Sequence, residues 1–102
     1  GLGQVEVGFR FLRHLGPRLE HGAVTLRFDS SKPYAFSSEA TWPAHSYEQT
    51  IRETVEAVLH EKQGHLNSPR VVLVAIEWDE INSCEVGFRK AARAATRAAF
   101  EA

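Results

Sequence analysis

The sequence lacks the residues that build disulfide bonds, metal clusters and nucleotide cradles. Its 102 residues include one cysteine, Cys84, so an internal disulfide bond is excluded. No glycine-rich phosphate-binding motif is present. No apolar run approaches the roughly 20 residues that a membrane-spanning helix needs, and no signal-peptide pattern opens the chain. We therefore expect this domain to bind no nucleotide, metal, cofactor or membrane, and to have no enzymatic activity.

Methionine is also missing, even at position 1. Either an initiator was removed before Gly1 or the chain was cut from a longer protein, and the sequence leaves both open. The formal net charge is −1, so no overall attraction to nucleic acid is expected and any basic surface must be local. A single thiol suits a reducing compartment, and we expect a cytoplasmic location.

Hydrophobic periodicity predicts four strands. Apolar residues alternate with polar ones over Val5–Leu12 and Val24–Phe28, which is typical of half-buried strands. Tyr34–Thr41 is interpreted as a weaker third strand. The unbroken apolar run Val71–Ile76 predicts a strand that is buried on both faces. Between the first two strands, Arg13–Gly22 is interpreted as a loop because glycine and proline punctuate it.

Two helices are predicted from apolar residues that recur every three or four positions. Capping pairs mark their starts, Ser46 with Gln49 and Asn82 with Glu85, and Gly64 ends the first helix. The apolar stripe of the second helix consists of Phe88, Ala91, Ala92, Ala95 and Ala99. The order β-β-β-α-β-α predicts one α/β (α+β) domain over residues 1–102. We expect a two-layer sandwich in which both helices cover one face of a four-stranded sheet.

Two features carry weak chemical signals. His60 and His65 are five positions apart, whereas a zinc-protease helix needs four, so we interpret both as solvated histidines at a helix end. Cys84 lies in the first turn of the second helix, where reactive thiols occur, but a packing role is the favoured interpretation.

Several segments together resemble domain IV of the elongation factor G family. Arg13–Val24 reads R-H-L-G-P-R-L-E-H-G-A-V and is similar to the family loop R-Q-T-G-G-R-G-Q-Y-G-H-V. Thr41–Pro43 is similar to the V-I-P that precedes the family's helix, and 68–72 resembles its F-P-V-V-D strand start. Ile81–Ala92 reads I-N-S-C-E-V-G-F-R-K-A-A and is similar to V-D-S-S-E-M-A-F-K-I-A. The closing Phe100–Ala102 is similar to the family's F-K-E-A, so the resemblance spans nearly the whole chain.

The resemblance implies a β₃-α-β-α sandwich with a left-handed β-α-β crossover. It also implies two loops at one tip that reach the tRNA–mRNA duplex in the decoding centre of the ribosome. In this chain they are residues 13–22 and 78–83. The second loop is shorter than the family's and lacks its tip histidine, and Glu20 and His21 replace the family's Gln and Tyr in the first.

Side chains of these two loops are therefore candidate contacts with the ribosome or RNA: Arg13, His14, Arg18, His21, Trp78, Asp79, Glu80 and Asn82. A secondary basic face on the last helix consists of Arg89, Lys90, Arg93 and Arg97. For that helix we favour a solvated amphipathic face, paired with the acidic first helix. For the first loop, contact with phosphates and simple ion pairing with Glu20 or Asp29 both stay open.

Three functions stay open. The first is a module that contacts the ribosome or RNA in translation, alone or with the remaining domains of a larger factor, and has no GTPase activity of its own. The second is a protein-interaction or structural domain that kept the fold and lost the tip function. The third, a small enzyme on this scaffold, is the weakest because no catalytic grouping is visible and a fold does not fix a function.

The expectation that this domain binds no nucleotide can be tested directly. Isothermal calorimetry with GTP and magnesium should show no heat beyond dilution, because the sequence contains no loop that can cradle phosphates. An affinity in the micromolar range would contradict this prediction.

Overall fold

The computed structural model describes residues 3–43, 45–63 and 68–101, with four strands and two helices in the predicted order. The elements are β1 (Gln4–Leu15), β2 (Arg18–Asp29), β3 (Phe36–Ser38), α1 (Glu48–Gln63), β4 (Arg70–Glu77) and α2 (Glu85–Glu101). Gly64 and His65, which the sequence analysis placed at the end of the first helix, lie outside the described residues. Neither described helix is long and apolar enough to cross a membrane.

The sheet has the strand order β1-β2-β4-β3. β2 is antiparallel to both β1 and β4, and β3 runs parallel to β4. The chain therefore crosses from β3 through α1 to the adjacent parallel strand β4. The hand of this crossover stays a prediction.

Both helices share one hydrophobic core with a single face of the sheet, which confirms the predicted two-layer sandwich. β2 contributes Val24, Leu26 and Phe28, whose alternation places them on the same face. Phe88 of α2 is fully buried among them, and the small side chains of α2 bring the helix close to the sheet. The buried alanines are Ala91, Ala92, Ala95 and Ala99.

The prediction that β4 is buried on both faces is wrong. Only Val71 and Leu73 of the run are buried, while Ala75 is exposed on the open face of the sheet. A β-bulge explains the unbroken apolar sequence. Leu26 pairs with Leu73 and Thr25 with Ala75, so Val74 is an extra residue that shifts the alternation by one. Ile76 consequently packs against the core although it is three positions from Leu73.

Several predicted boundaries also move. The third strand is only Phe36–Ser38, shorter than the predicted Tyr34–Thr41. At α1, Ser46 Oγ accepts the N–H of Glu48 at 3.2 Å, but the Gln49 side chain donates to Glu53 and does not complete the predicted capping pair. α2 begins at Glu85, later than a cap at Asn82 would place it, and the carbonyl of Cys84 accepts the first helical N–H, from Phe88.

Phe88 is the side chain whose loss tests the packing of α2 on the sheet. Truncation to alanine should lower the free energy of unfolding by roughly 3–5 kcal/mol, because it leaves a cavity between α2, β2 and the rings of Trp42, Tyr47 and Trp78. Urea unfolding of the parent and Phe88→Ala measures this. The conservative Phe88→Leu should cost much less, and equal stability of Phe88→Ala and the parent would contradict the packing described.

Candidate nucleic-acid interface

The first predicted tip loop is not a loop but the end of a long β-hairpin. β1 and β2 pair without interruption from Gln4 opposite Asp29 to Leu15 opposite Arg18. Strands of 12 residues extend about 40 Å, and the longest dimension of the molecule is 43 Å. The prediction of a loop over Arg13–Gly22 is therefore wrong. We call residues 13–20 the hairpin tip.

A two-residue turn closes the hairpin tip. Gly16 has φ of +60°, a backbone conformation that favours glycine, and proline follows it. Glycine at the first central position is the pattern of a type II′ turn, whose twist matches that of the flanking strands. Gly16 and Pro17, which in the sequence indicate an irregular loop, thus form a two-residue turn between two strands.

Arginines of the hairpin tip lie on one of its faces. Leu15 pairs with Arg18 and Arg13 with Glu20, and these two pairs are two residues apart, so Arg13 and Arg18 share a face. Both arginines are exposed, as is His14 on the other face. Within the described part of the chain no ion pair within 4 Å engages Arg13 or Arg18, and the Asp29 carboxylate contacts Lys32 instead.

His21 is buried at the base of the hairpin tip rather than displayed on it. Only 4% of its surface is exposed, and its Nδ1 lies 3.1 Å from Oγ of Ser83. Its backbone N–H donates to the carbonyl of Asn82 at 3.0 Å, and its carbonyl accepts the N–H of Cys84 at 3.1 Å. His21 therefore fastens β2 to the segment that precedes α2.

That segment, residues 78–84, we call the junction loop; it brings the second predicted tip segment beside the first. β4 ends where Glu77 pairs with Ala23, and the next contact of β2 on that side is the bridge between His21 and Ser83. The junction loop thus continues the sheet for one residue where β4 stops. Beyond it, residues 18–20 of β2 pair with β1 alone in the described sheet.

Asp79 shapes the junction loop from within. Its carboxylate accepts the backbone N–H groups of Ile81 and Asn82 at 3.0 and 2.9 Å. The hydrogen bonds from Asn82 and Ile81 lower the pKa of Asp79, so the carboxylate stays ionised in mildly acidic solution. Its backbone N–H donates to Oγ of Ser83 at 2.7 Å, which links this turn to the histidine. Glu80 and Ile81 stay exposed, Ile81 at 89%.

Trp78 anchors the junction loop rather than extending into solvent. It is half-buried, and its ring lies 6.1 Å from Trp42, 6.0 Å from Tyr47 and 5.8 Å from Phe88, measured between centroids. Glu48 holds Trp42 by accepting its indole N–H at 2.9 Å. The aromatic contacts fix one end of the loop to the core.

Two glycines allow β2 and α2 to touch beside the junction loop, and we call this contact between the strand and the helix the junction. A Cβ atom added at Gly22 would overlap backbone atoms of Gly87 and Phe88, and one added at Gly87 would overlap the backbone of His21. Both glycines are buried, and Gly87 lies in the first turn of α2. This close approach places the N-terminus of α2 within hydrogen-bonding distance of β2, as the contact between Cys84 and His21 shows.

The secondary basic face of α2 is divided between two grooves. Arg89, Arg93 and Arg97 line a groove between the helices, opposite the acidic side chains of α1. Arg97 contacts Glu61 at 3.6 Å, so for this residue the favoured pairing with the acidic helix is confirmed. Lys90 lies instead on the other side of α2, with Nζ 5.4 Å from the centroid of the Phe11 ring.

Comparisons with known proteins place the fold but not the function. No family model matches the chain, and no curated protein matches its sequence. Among solved structures, the crystal structure of a protein from Thermus thermophilus superposes with a TM-score of 0.81 over 94% of this chain, at 18% sequence identity. At that identity the likeness shows the fold alone. The chain spans 15% of the length of the Thermus protein.

Gly22 is the residue whose change most directly tests the junction. Gly22→Ala should lower the free energy of unfolding by about 2–4 kcal/mol, because the methyl group meets backbone that cannot rotate away. Gly8→Ala is the matched control, since its added Cβ would meet Thr25 at an ordinary 3.5 Å. Urea unfolding of both variants measures the difference, and equal stability of the two would contradict the close approach.

Proposed function

We propose that the chain is an elongation factor G domain IV-like module that contacts RNA in the ribosome through its hairpin tip. It has no GTPase activity of its own in this proposal. The observation that carries it is the pair Arg13 and Arg18, exposed on one face at the far end of the hairpin and without an ion-pair partner among the described residues. Guanidinium groups held in this way suit phosphate oxygens, which they can bind in bidentate fashion.

The junction supports the proposal by fixing the hairpin tip. Hydrogen bonds between His21 and Ser83, Asn82 and Cys84 tie β2 to the start of α2, so the tip emerges from a closed base. Two arginines on a stiff support lose less conformational freedom on binding than two on a mobile loop. In this proposal His21 and Trp78 position the tip, while Arg13, His14 and Arg18 are the groups that contact RNA.

The charges of the junction loop favour the hairpin tip as the segment that contacts RNA. Asp79 is turned inward to the backbone of its own loop, and Glu80 adds an exposed negative charge. Neither carboxylate favours phosphate. The neighbouring hairpin tip carries two arginines against one glutamate, Glu20. The length of the similar Thermus protein supports a module that works beside the remaining domains of a larger factor.

A second candidate, a protein-interaction domain, is favoured by exposed apolar side chains at the same end of the molecule. Leu12 is 49% exposed, Leu15 38% and Ile81 89%. A protein partner would cover these side chains, whereas phosphate contacts would not. The two candidates therefore differ in how salt affects their binding. Salt weakens contacts between arginines and phosphates, whereas contacts made by leucines involve no charge.

A salt series on ribosomal subunits tests the proposal. Association of the parent and of Arg13→Ala/Arg18→Ala should be measured by co-sedimentation from low to high salt. Loss of two phosphate contacts should flatten the dependence of log affinity on log salt by about one to two units. Arg27→Ala/Arg52→Ala removes the same charge from other surfaces and should keep the slope of the parent.

Two results would count against RNA contact. The slopes of the parent and the tip variant could be identical, or the parent could fail to associate at low salt. Either result would contradict the proposed contacts of Arg13 and Arg18 with phosphates. Association that is insensitive to salt but lost in Leu12→Ser/Leu15→Ser would establish the protein-interaction candidate in their place.

A further inference from the structure

The two edges of the sheet are unequal. β3 forms one edge and has only three residues, which is a common way to protect an edge from pairing with another chain. β1 forms the other edge with 12 residues, and its outer backbone groups have no strand beside them in the described sheet. β1 contains neither proline nor lysine, and its register with β2 is free of bulges. Proline, lysine and bulges are therefore missing from β1, whose only charged side chains are Glu6, Arg10 and Arg13.

A groove runs beside this edge, between β1 and α2. Phe9 and Phe11 form its floor together with Ala94 and Ala98, and its volume is about 590 Å³. Phe9 is 40% exposed, so the floor offers apolar surface that the core does not use. The remaining lining residues are charged: Lys90, Arg93, Arg97 and Glu101. Arg97 also contacts Glu61 in the groove between the helices, so Lys90 and Arg93 are the rim cations without an ion pair among the described residues.

We propose that the outer edge of β1 binds an extended acidic peptide segment as a fifth strand. Backbone hydrogen bonds to β1 supply the pairing, as in other complexes that add a strand to a sheet edge. Alternate side chains of the segment point into the groove, where apolar ones contact Phe9 and Phe11. Acidic ones meet Lys90 and Arg93 on the rim. This surface lies along β1 and α2 and is separate from the hairpin tip, so the inference does not rest on the proposed contact with RNA.

A second copy of the chain fits this edge less well. Antiparallel pairing of two β1 strands about Gly8 would set Glu6 opposite Arg10, which is favourable. It would also bring the two α2 helices together across the same axis, with Arg93 and Arg97 of one copy facing those of the other. The positive rim therefore favours a negatively charged segment, and the unpaired N–H and C=O groups favour a peptide over a nucleic acid.

A synthetic peptide can serve as the probe. It has nine residues, with two valines on one face, threonines on the other, two glutamates at each end and a fluorescein label. Fluorescence anisotropy should show binding by the 102-residue chain, and the same peptide with lysine for glutamate should bind at least about tenfold more weakly. Lys90→Gln/Arg93→Gln should weaken binding of the acidic peptide about tenfold. Arg52→Gln/Arg89→Gln removes the same charge outside this groove, and Arg18→Ala removes charge from the tip without touching β1, so both should bind the peptide as the parent does.

Backbone methylation separates strand addition from simple charge attraction. Two versions of the peptide, methylated on alternate nitrogens in opposite phase, each lose the hydrogen-bonding edge on one side. One version should bind and the other should not. Hydrogen exchange measured by NMR should show new protection at every second amide of β1 when the unmethylated peptide binds.

The following results would overturn the inference: no binding of the acidic peptide, equal binding of both methylated versions, or unchanged exchange at β1. Displacement of the peptide from the parent by a ten-residue oligouridylate that binds Lys90→Gln/Arg93→Gln more weakly would assign the groove to nucleic acid instead. Dimers in sedimentation equilibrium whose β1 amides are already protected would assign the edge to a second copy.

Discussion

The backbones of β2 and α2 meet where Gly22 faces Gly87, and the arrangement of the whole hairpin end depends on this contact. Because neither position carries a Cβ atom, the helix start lies close enough to the strand for backbone hydrogen bonds between elements of different kinds. A side chain at either glycine would separate the two layers at this end. The junction loop, the burial of His21 and the direction of the hairpin all follow from the approach that these glycines permit.

The bulge at Val74 has a related effect at the other side of the junction. By shifting the alternation of β4 by one residue, it turns Ile76 and then Trp78 toward the helix layer. If this sequence paired without the bulge, regular alternation would direct Trp78 to the open face, away from Tyr47 and Phe88. The aromatic cluster that fixes the junction loop is therefore a consequence of strand geometry more than of the loop sequence itself.

The sequence predicts the kinds of elements well and their limits less well. Alternation in Val5–Leu12 and the helical spacing around Phe88 are local signals, so the strand and the helix could be placed without tertiary information. The hairpin was missed because Gly16-Pro17 suggests an irregular loop, whereas at φ of +60° the glycine forms a tight turn.

Some residues of the candidate site can be predicted from the sequence, whereas the contacts that position them cannot. Arg13 and Arg18 could be selected from composition and from the resemblance to a known family. The pairing of His21 with Ser83 joins residues 62 positions apart, which no periodicity reports. Gly22 and Gly87 leave only a faint trace, a glycine in a strand and another inside a helix, where glycine is otherwise disfavoured.

The same separation of 62 positions has a kinetic meaning. The β1–β2 hairpin closes over a two-residue turn and needs only local chain to form, whereas the junction requires almost the entire chain between His21 and Ser83 to be in place. Contacts of long sequence separation carry the larger loop-closure cost. The hairpin can therefore arise early in folding or during synthesis, but its orientation relative to the body is set only when α2 docks. Folding of the last element thus determines the geometry of a surface that belongs to the first two.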